Sequence, residues 1–167
     1  IKMMLGNSVS VLTGGPGTGK TSTLNTLLYI FRKNKVPVHL VAPTGKAAQR
    51  ASEVTGMDAS TIHRLLGIKG AGSIAQEIEE GVLVIDESSM IDILLMNHIA
   101  KAIKKVSIIL VGDVDQIPSV GPGQILSDII ESGAVPVTRL TEVYRQSQGS
   151  LIIRNADKIN IGKMPEK

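Results

Sequence analysis

The segment Gly14-Gly15-Pro16-Gly17-Thr18-Gly19-Lys20-Thr21 constrains this chain more than any other. It fits the G-x-x-x-x-G-K-[ST] pattern, in which successive backbone N–H groups curl around phosphate oxygens. The pattern assigns Gly14, Gly15, Pro16, Gly17, Thr18 and Gly19, with Ser22 just beyond, to nucleotide binding. Lys20 is expected at the terminal phosphates and the Thr21 hydroxyl on Mg²⁺. Glycine is common here, 17 of 167 residues, so context has to support the motif. Val9, Val11 and Leu12 precede it as a strand would, and Leu24, Leu27, Leu28 and Phe31 follow at helical spacing. Strand, glycine loop and helix are the setting that this phosphate loop requires.

The rest of the chain alternates in the same way. Short apolar runs predict strands at 8–13, 38–42, 82–86, 107–111 and 135–140. Val82-Leu83-Val84-Ile85 and Ile108-Ile109-Leu110-Val111 are apolar throughout, as strands covered on both faces are. Between them lie helix patterns: Ala47, Ala48, Ala51 and Val54; Ile91, Leu94, Leu95, Ile99, Ala102 and Ile103; and Ile125, Leu126, Ile129 and Ile130. Ser89-x-x-Asp92 reads as a capping box for the second. The expectation is an α/β fold, a parallel sheet with helices on both faces. Residues 67–73 read as a surface loop and 162–167 as the start of a linker.

Composition narrows the function. Without cysteine there is neither a disulfide nor a thiolate metal site. No apolar run reaches 18 residues and no signal segment opens the chain, so it reads as cytoplasmic, with no membrane partner. A net charge of +3 permits nucleic acid without demanding it. With no Trp, one Phe and two Tyr there are few platforms for stacking bases. A bound single strand would be gripped mostly by its phosphate–sugar backbone, whatever its sequence.

Four further segments carry chemistry. Asp86 and Glu87 end the Val82–Ile85 run, where Asp86 would hold Mg²⁺ through its water shell and Glu87 would deprotonate an attacking water. Gln116, in Gly112-Asp113-Val114-Asp115-Gln116-Ile117-Pro118, can both donate and accept, so it can bond a γ-phosphate and the lytic water. Arg145 offers positive charge for the transferring phosphoryl group. Pro43-Thr44-Gly45-Lys46 ends one strand and opens a helix, where N–H groups, the Thr44 hydroxyl and Lys46 can grip a backbone phosphate. In Ser60-Thr61-Ile62-His63-Arg64, DNA contact and helix capping by Ser60 or Thr61 are both open.

Taken together, these segments resemble the first motor domain of the RecD-like superfamily 1 DNA helicases, the group of the exodeoxyribonuclease V alpha subunit. Leu12–Thr21 resembles helicase motif I, Ala42–Arg50 motif Ia, Ser60–Gly67 motif Ib, Val84–Met90 motif II, Gly112–Leu126 motif III and Leu140–Gln146 motif IV. The resemblance implies a RecA-like P-loop NTPase fold of three α/β/α layers. It implies ATP and Mg²⁺ as cofactors, 5′-to-3′ movement on single-stranded DNA, and duplex unwinding in repair or recombination. It implies that Pro43, Thr44, Thr61 and His63 lie along the DNA strand, that Arg145 touches the γ-phosphate, and that Tyr144 lies near the nucleotide base. The family's adenine-reading segment and second RecA-like domain are not found in these residues. Residues 1–167 are therefore expected to be one RecA-like domain, half of a motor. Its expected partners are the second RecA-like domain of the same parent chain, single-stranded DNA and other exodeoxyribonuclease V subunits. The competing reading is a P-loop loader or switch ATPase that acts on a protein. The Thr-Gly-Lys-Ala-Ala, Thr-Ile-His and Asp-Gln-Ile-Pro segments speak against it.

Overall fold

The strands sort their side chains by parity. In the computed structural model, Val11, Val41, Leu83, Ile85, Ile108 and Leu110 pack into one core, while Leu12, Leu40, Val82, Val84, Ile109 and Val111 pack into another. Alternate residues of one strand point to opposite faces, so two cores mean a sheet covered on both sides. The structure describes residues 1–70, 73–142, 151, 155, 158–159 and 162–166.

In chain order the elements are α1 (Lys2–Leu5), β1 (Val9–Gly14), α2 (Lys20–Lys33), β2 (Val38–Ala42), α3 (Gly45–Thr55), β3 (Ala59–Thr61), α4 (Ile62–Leu65), β4 (Ile78–Ile85), a 3-10 turn (Ser88–Met90), α5 (Ile93–Ala102), β5 (Ile103–Gly112), α6 (Ile125–Ser132) and β6 (Val137–Leu140). The sheet order is β3-β2-β4-β5-β1-β6, and every pair is parallel. Leu24, Leu27, Leu28 and Phe31 of α2, with Ala51 of α3 and Met4 of α1, cover one face. Leu95 and Ile99 of α5, Leu126 of α6 and Ile62 of α4 cover the other. This is the three-layer P-loop architecture expected from the sequence.

The parallel sheet brings the C-terminal ends of its six strands among the described residues to one edge, where open α/β sheets bind ligands. β5 lies between β4 and β1, so the loop after β5 stands between the phosphate loop and the acidic pair.

Several local expectations are corrected. β3 and α1 were not anticipated, and β4 and β5 begin four residues earlier than the apolar runs suggest, at Ile78 and Ile103. Ser89 does not box α5. Asp92 is the N-cap, accepting from Leu95 N at 2.7 Å, while Ser89 is buried with its Oγ unpartnered among the described residues. Leu94, assigned to the apolar stripe, is exposed. Glu166 folds back on Asn155 and pairs with Lys158 at 2.6 Å. Residues 71–72 of the expected loop lie outside the described residues. Ser73 closes the remainder, its Oγ accepting from Lys69 N and Gly70 N, each at 3.1 Å. Among the described residues no helix is long and apolar enough to cross a membrane.

Candidate active site and strand groove

The phosphate loop is built by close approach. An added Cβ on Gly14 would lie 2.6 Å from Leu140 O and 2.7 Å from Thr18 Oγ1, so only glycine lets β1 end against β6 here. Gly17 and Gly19 have φ of 74° and 91°, left-handed values that turn the chain into α2. Thr18 is buried and donates to Gly15 O at 2.8 Å, bracing the loop from within. The Lys20 ammonium donates to Gly14 O and, at 2.9 Å, to Gly15 O, which holds it along the inside of the loop.

One cavity of about 510 Å³ gathers the expected nucleotide residues. Gly15, Pro16, Gly17, Gly19, Lys20, Thr21 and Ser22 form one wall, and Asp86, Glu87 and Gln116 come from the ends of β4 and β5. Gly14 and Thr18 face a neighbouring recess on the β6 side, so they shape the loop from behind. Arg145 and Tyr144 lie outside the described residues.

The acids are electrostatically tense. Burial raises the Asp86 carboxyl above its usual range, against a hydrogen bond from Glu87 N (3.0 Å) and the charges of Lys20 and Arg50. Burial also raises Glu87, reinforced by Asp86, and Lys20 and Arg50 again oppose the shift. Glu87 itself sits at φ 51° and ψ 40°. That left-handed conformation costs an L residue about 1–2 kcal/mol and turns the chain sharply after β4. The turn is pinned by Ser88, whose Oγ donates to Val111 O on β5 at 2.9 Å. Asp113 is almost completely buried and accepts from Asp115 N at 3.1 Å, fixing the start of the loop that carries Gln116.

The donor set suits Mg²⁺. A carboxylate that burial makes reluctant to ionise gains from a nearby cation, and Thr21 supplies a hydroxyl across the same cavity. Mg²⁺ is usually held by one or two side chains together with phosphate oxygens, so Thr21 and Asp86 are enough.

A second depression opens beyond the same segments. Pro43, Thr44 and His63 line it with Ile68, Lys69, Met90, Asp92, Leu94, His98, Val120 and Gly121. Lys46 is exposed one helical step away, and Thr61 is not in the lining. Both threonines cap helices: Thr44 Oγ1 accepts from Ala47 N at 3.2 Å and Thr61 Oγ1 from Arg64 N at 3.1 Å. A capping hydroxyl still has its proton to donate, so Thr44 can do both jobs.

Three segments touch both depressions. α3 starts at Thr44 in the groove and carries Arg50 and Val54 into the cavity. The turn after β4 has Glu87 in the cavity and Met90 in the groove. The loop after β5 has Gln116 in one and Val120 in the other. That last loop is strapped down: Ile93 N donates to Pro122 O at 2.9 Å, and a Cβ on Gly121 would meet Asp92 Cβ and Cγ at 2.8 Å. Sequence reasoning missed Arg50, Val54 and the buried role of Asp113. Arg50 and Val54 are four residues apart on one helix face, a spacing that could have flagged them had the neighbour of α3 been known.

Comparison with known proteins fits this geometry. The chain is 40% identical over 169 residues to the ATP-dependent RecD2 DNA helicase of Deinococcus radiodurans, covering 99% of this chain and 23% of that protein. It is 35% identical over 191 residues to the RecBCD enzyme subunit RecD of Mycobacterium tuberculosis, covering 96% of this chain and 33% of the relative. The chain thus spans about a quarter to a third of the curated relatives it matches. In fold it is similar to the Pif1 helicase from Candida albicans, with a TM-score of 0.68 at 22% identity over 95% of this chain and 42% of that one. The resemblance to RecD-like helicases that the six motifs suggested is carried by these relatives. The model of the AAA domain family matches residues 2–167, and the chain belongs to that family.

Proposed function

We propose that this chain is the ATP-binding and ATP-hydrolysing half of a DNA helicase motor. It would move 5′ to 3′ on single-stranded DNA in repair or recombination, in the manner of an exodeoxyribonuclease V alpha-like subunit. The observation that carries the proposal is that three continuous segments each reach from the phosphate cavity into the groove beside it. A motor must make the state of its nucleotide felt where it grips its track.

In this reading the loop N–H groups from Gly15 to Thr21 hold the phosphates of ATP, and the Lys20 ammonium turns from its loop carbonyls toward the terminal ones. Thr21 and Asp86 would hold Mg²⁺, which when bound would neutralise phosphate charge. Glu87 accepts a proton from a water molecule. The water oxygen bonds to the γ-phosphorus, the bond to the β,γ-bridging oxygen breaks, and ADP and inorganic phosphate leave. Gln116 aligns the water and registers the loss of the γ-phosphate. Pro43, Thr44 and His63 contact the strand backbone with Lys46 beside them, and Thr61 caps the helix that carries His63.

We further assign residues 1–167 as one RecA-like domain that works against a second one in the same parent chain. A trans arginine is worth roughly 10³–10⁵ in kcat among phosphate-loop enzymes. The 167-residue chain alone should therefore bind Mg-nucleotide and turn over negligibly.

Directional unwinding tests the reading. The full-length protein, given ATP, should separate a duplex that carries a 5′ single-stranded tail and leave one with only a 3′ tail paired. Strand-independent ATP turnover with no unwinding of either substrate would favour a loader or switch ATPase that acts on a protein.

A further inference from the structure

Arg50 has no part in the chemistry above, yet it lines the nucleotide cavity together with the acidic pair. The residue sits on a braced helix. Thr44 caps the N-terminus of α3, and Asn25 of α2 donates to Val54 O at 3.1 Å near its C-terminus. Ala48 and Ala51 bury the adjoining face, and Arg50 and Val54 line the cavity. A side chain on so fixed an element has a defined place relative to Glu87.

The cavity has two cations and two carboxylates among its described lining residues. Lys20 already donates to the Gly14 and Gly15 carbonyls. The Arg50 side chain makes neither a hydrogen bond nor an ion pair among the described residues. Its five donors are therefore available, and its charge acts on both Asp86 and Glu87. An arginine left unpaired beside two carboxylates is placed to engage them, or the phosphates they serve, once ligand tightens the site.

We infer that Arg50 is a positioning residue for hydrolysis, set by α3 in the cavity it shares with Glu87 so that its guanidinium engages the reacting groups there, while the same helix links it to the strand groove at Thr44. This rests on the ATPase reading given above. The link is short: Arg50 is six residues from Thr44, about 9 Å along a helix. A strand that shifts the start of α3 would move the guanidinium with it.

The test is steady-state ATP turnover by the full-length protein with saturating single-stranded DNA. Arg50→Ala, Arg50→Gln and Arg50→Lys are compared with wild type, and ADP binding reports an intact loop. We expect Arg50→Ala to lower kcat on the order of 10- to 100-fold, with KM for ATP within about threefold and ADP affinity unchanged. Arg50→Lys should recover part of the loss and Arg50→Gln none of it, because charge is what is being supplied. If Arg50→Ala fails to fold, the Lys and Gln variants carry the comparison. Equal kcat for wild type, Lys and Gln overturns the inference, as does a rise in KM with kcat unchanged, which would make Arg50 a simple binding contact. Failure of the underlying ATPase reading looks different, because wild type itself would then show no strand-stimulated turnover.

Discussion

Replacing Gly14 and Gly15 by alanine, one at a time, should affect stability unequally although the two residues are neighbours in one motif. A Cβ at Gly14 would lie 2.6 Å from Leu140 O, about 0.8 Å inside ordinary contact, and 2.7 Å from Thr18 Oγ1. Neither obstacle yields easily. Leu140 is the strand partner of Gly14 in the β1–β6 pairing, and Thr18 Oγ1 is committed to Gly15 O. Overpacking of this kind costs roughly 1–3 kcal/mol. In a chain of this size each kcal/mol is worth about 2–4 °C, so Gly14→Ala should lower Tm by roughly 2–12 °C. At Gly15 an added Cβ meets nothing within 4 Å, and φ is not in the left-handed region. Gly15→Ala should be neutral, or stabilising by up to about 1 kcal/mol through the unfolded chain. Thermal melts of the two variants, followed by circular dichroism, decide the matter. Equal Tm changes in the two, or no loss in Gly14→Ala, would refute the claim that the loop is shaped by its contact with β6.

Other substitutions separate the roles of single residues. Lys20→Ala removes hydrogen bonds only to two loop carbonyls, so the fold should melt within a few degrees of wild type while ATP turnover disappears. Wild-type kcat in that variant would dismiss the phosphate-loop chemistry. Gly121→Ala should force the loop after β5 away from Asp92, costing about 1–3 kcal/mol by chemical denaturation; an unchanged midpoint would mean the strap is looser than its contacts suggest. His63→Ala removes an exposed groove residue, so single-strand affinity should fall about 3- to 10-fold by fluorescence anisotropy with Tm unchanged. Unaltered affinity would take His63 out of the strand path.

The phosphate loop, the acidic pair and the apolar strands were legible because each depends on local pattern. Val82–Ile85 and Ile108–Val111 are continuous apolar runs, and a strand buried on both faces needs nothing subtler. β3 was not legible, since Ala59-Ser60-Thr61 has no apolar signature and is a strand only through pairing with Leu40–Ala42. The starts of β4 and β5 were hidden by Glu79, Glu80, Lys104 and Lys105, charged residues that mark where the paired strands run out toward solvent. Ser89 and Asp92 competed for one capping role, and only the position of the helix start chose Asp92. Arg50 was beyond reach for another reason. A lone arginine on the polar side of a helix looks solvated until a neighbouring helix fixes which way that side faces, and it was the Asn25–Val54 contact that did so.

Strand-stimulated ATP hydrolysis by the full-length protein bears most directly on the proposal that this cavity and groove form one motor. Single-stranded DNA should raise kcat in wild type, and Glu87→Gln should lower the stimulated rate on the order of 10²-fold or more while Mg-ATP still binds. An ATPase rate indifferent to DNA, or a Glu87→Gln protein that hydrolyses ATP as fast as wild type, would contradict it.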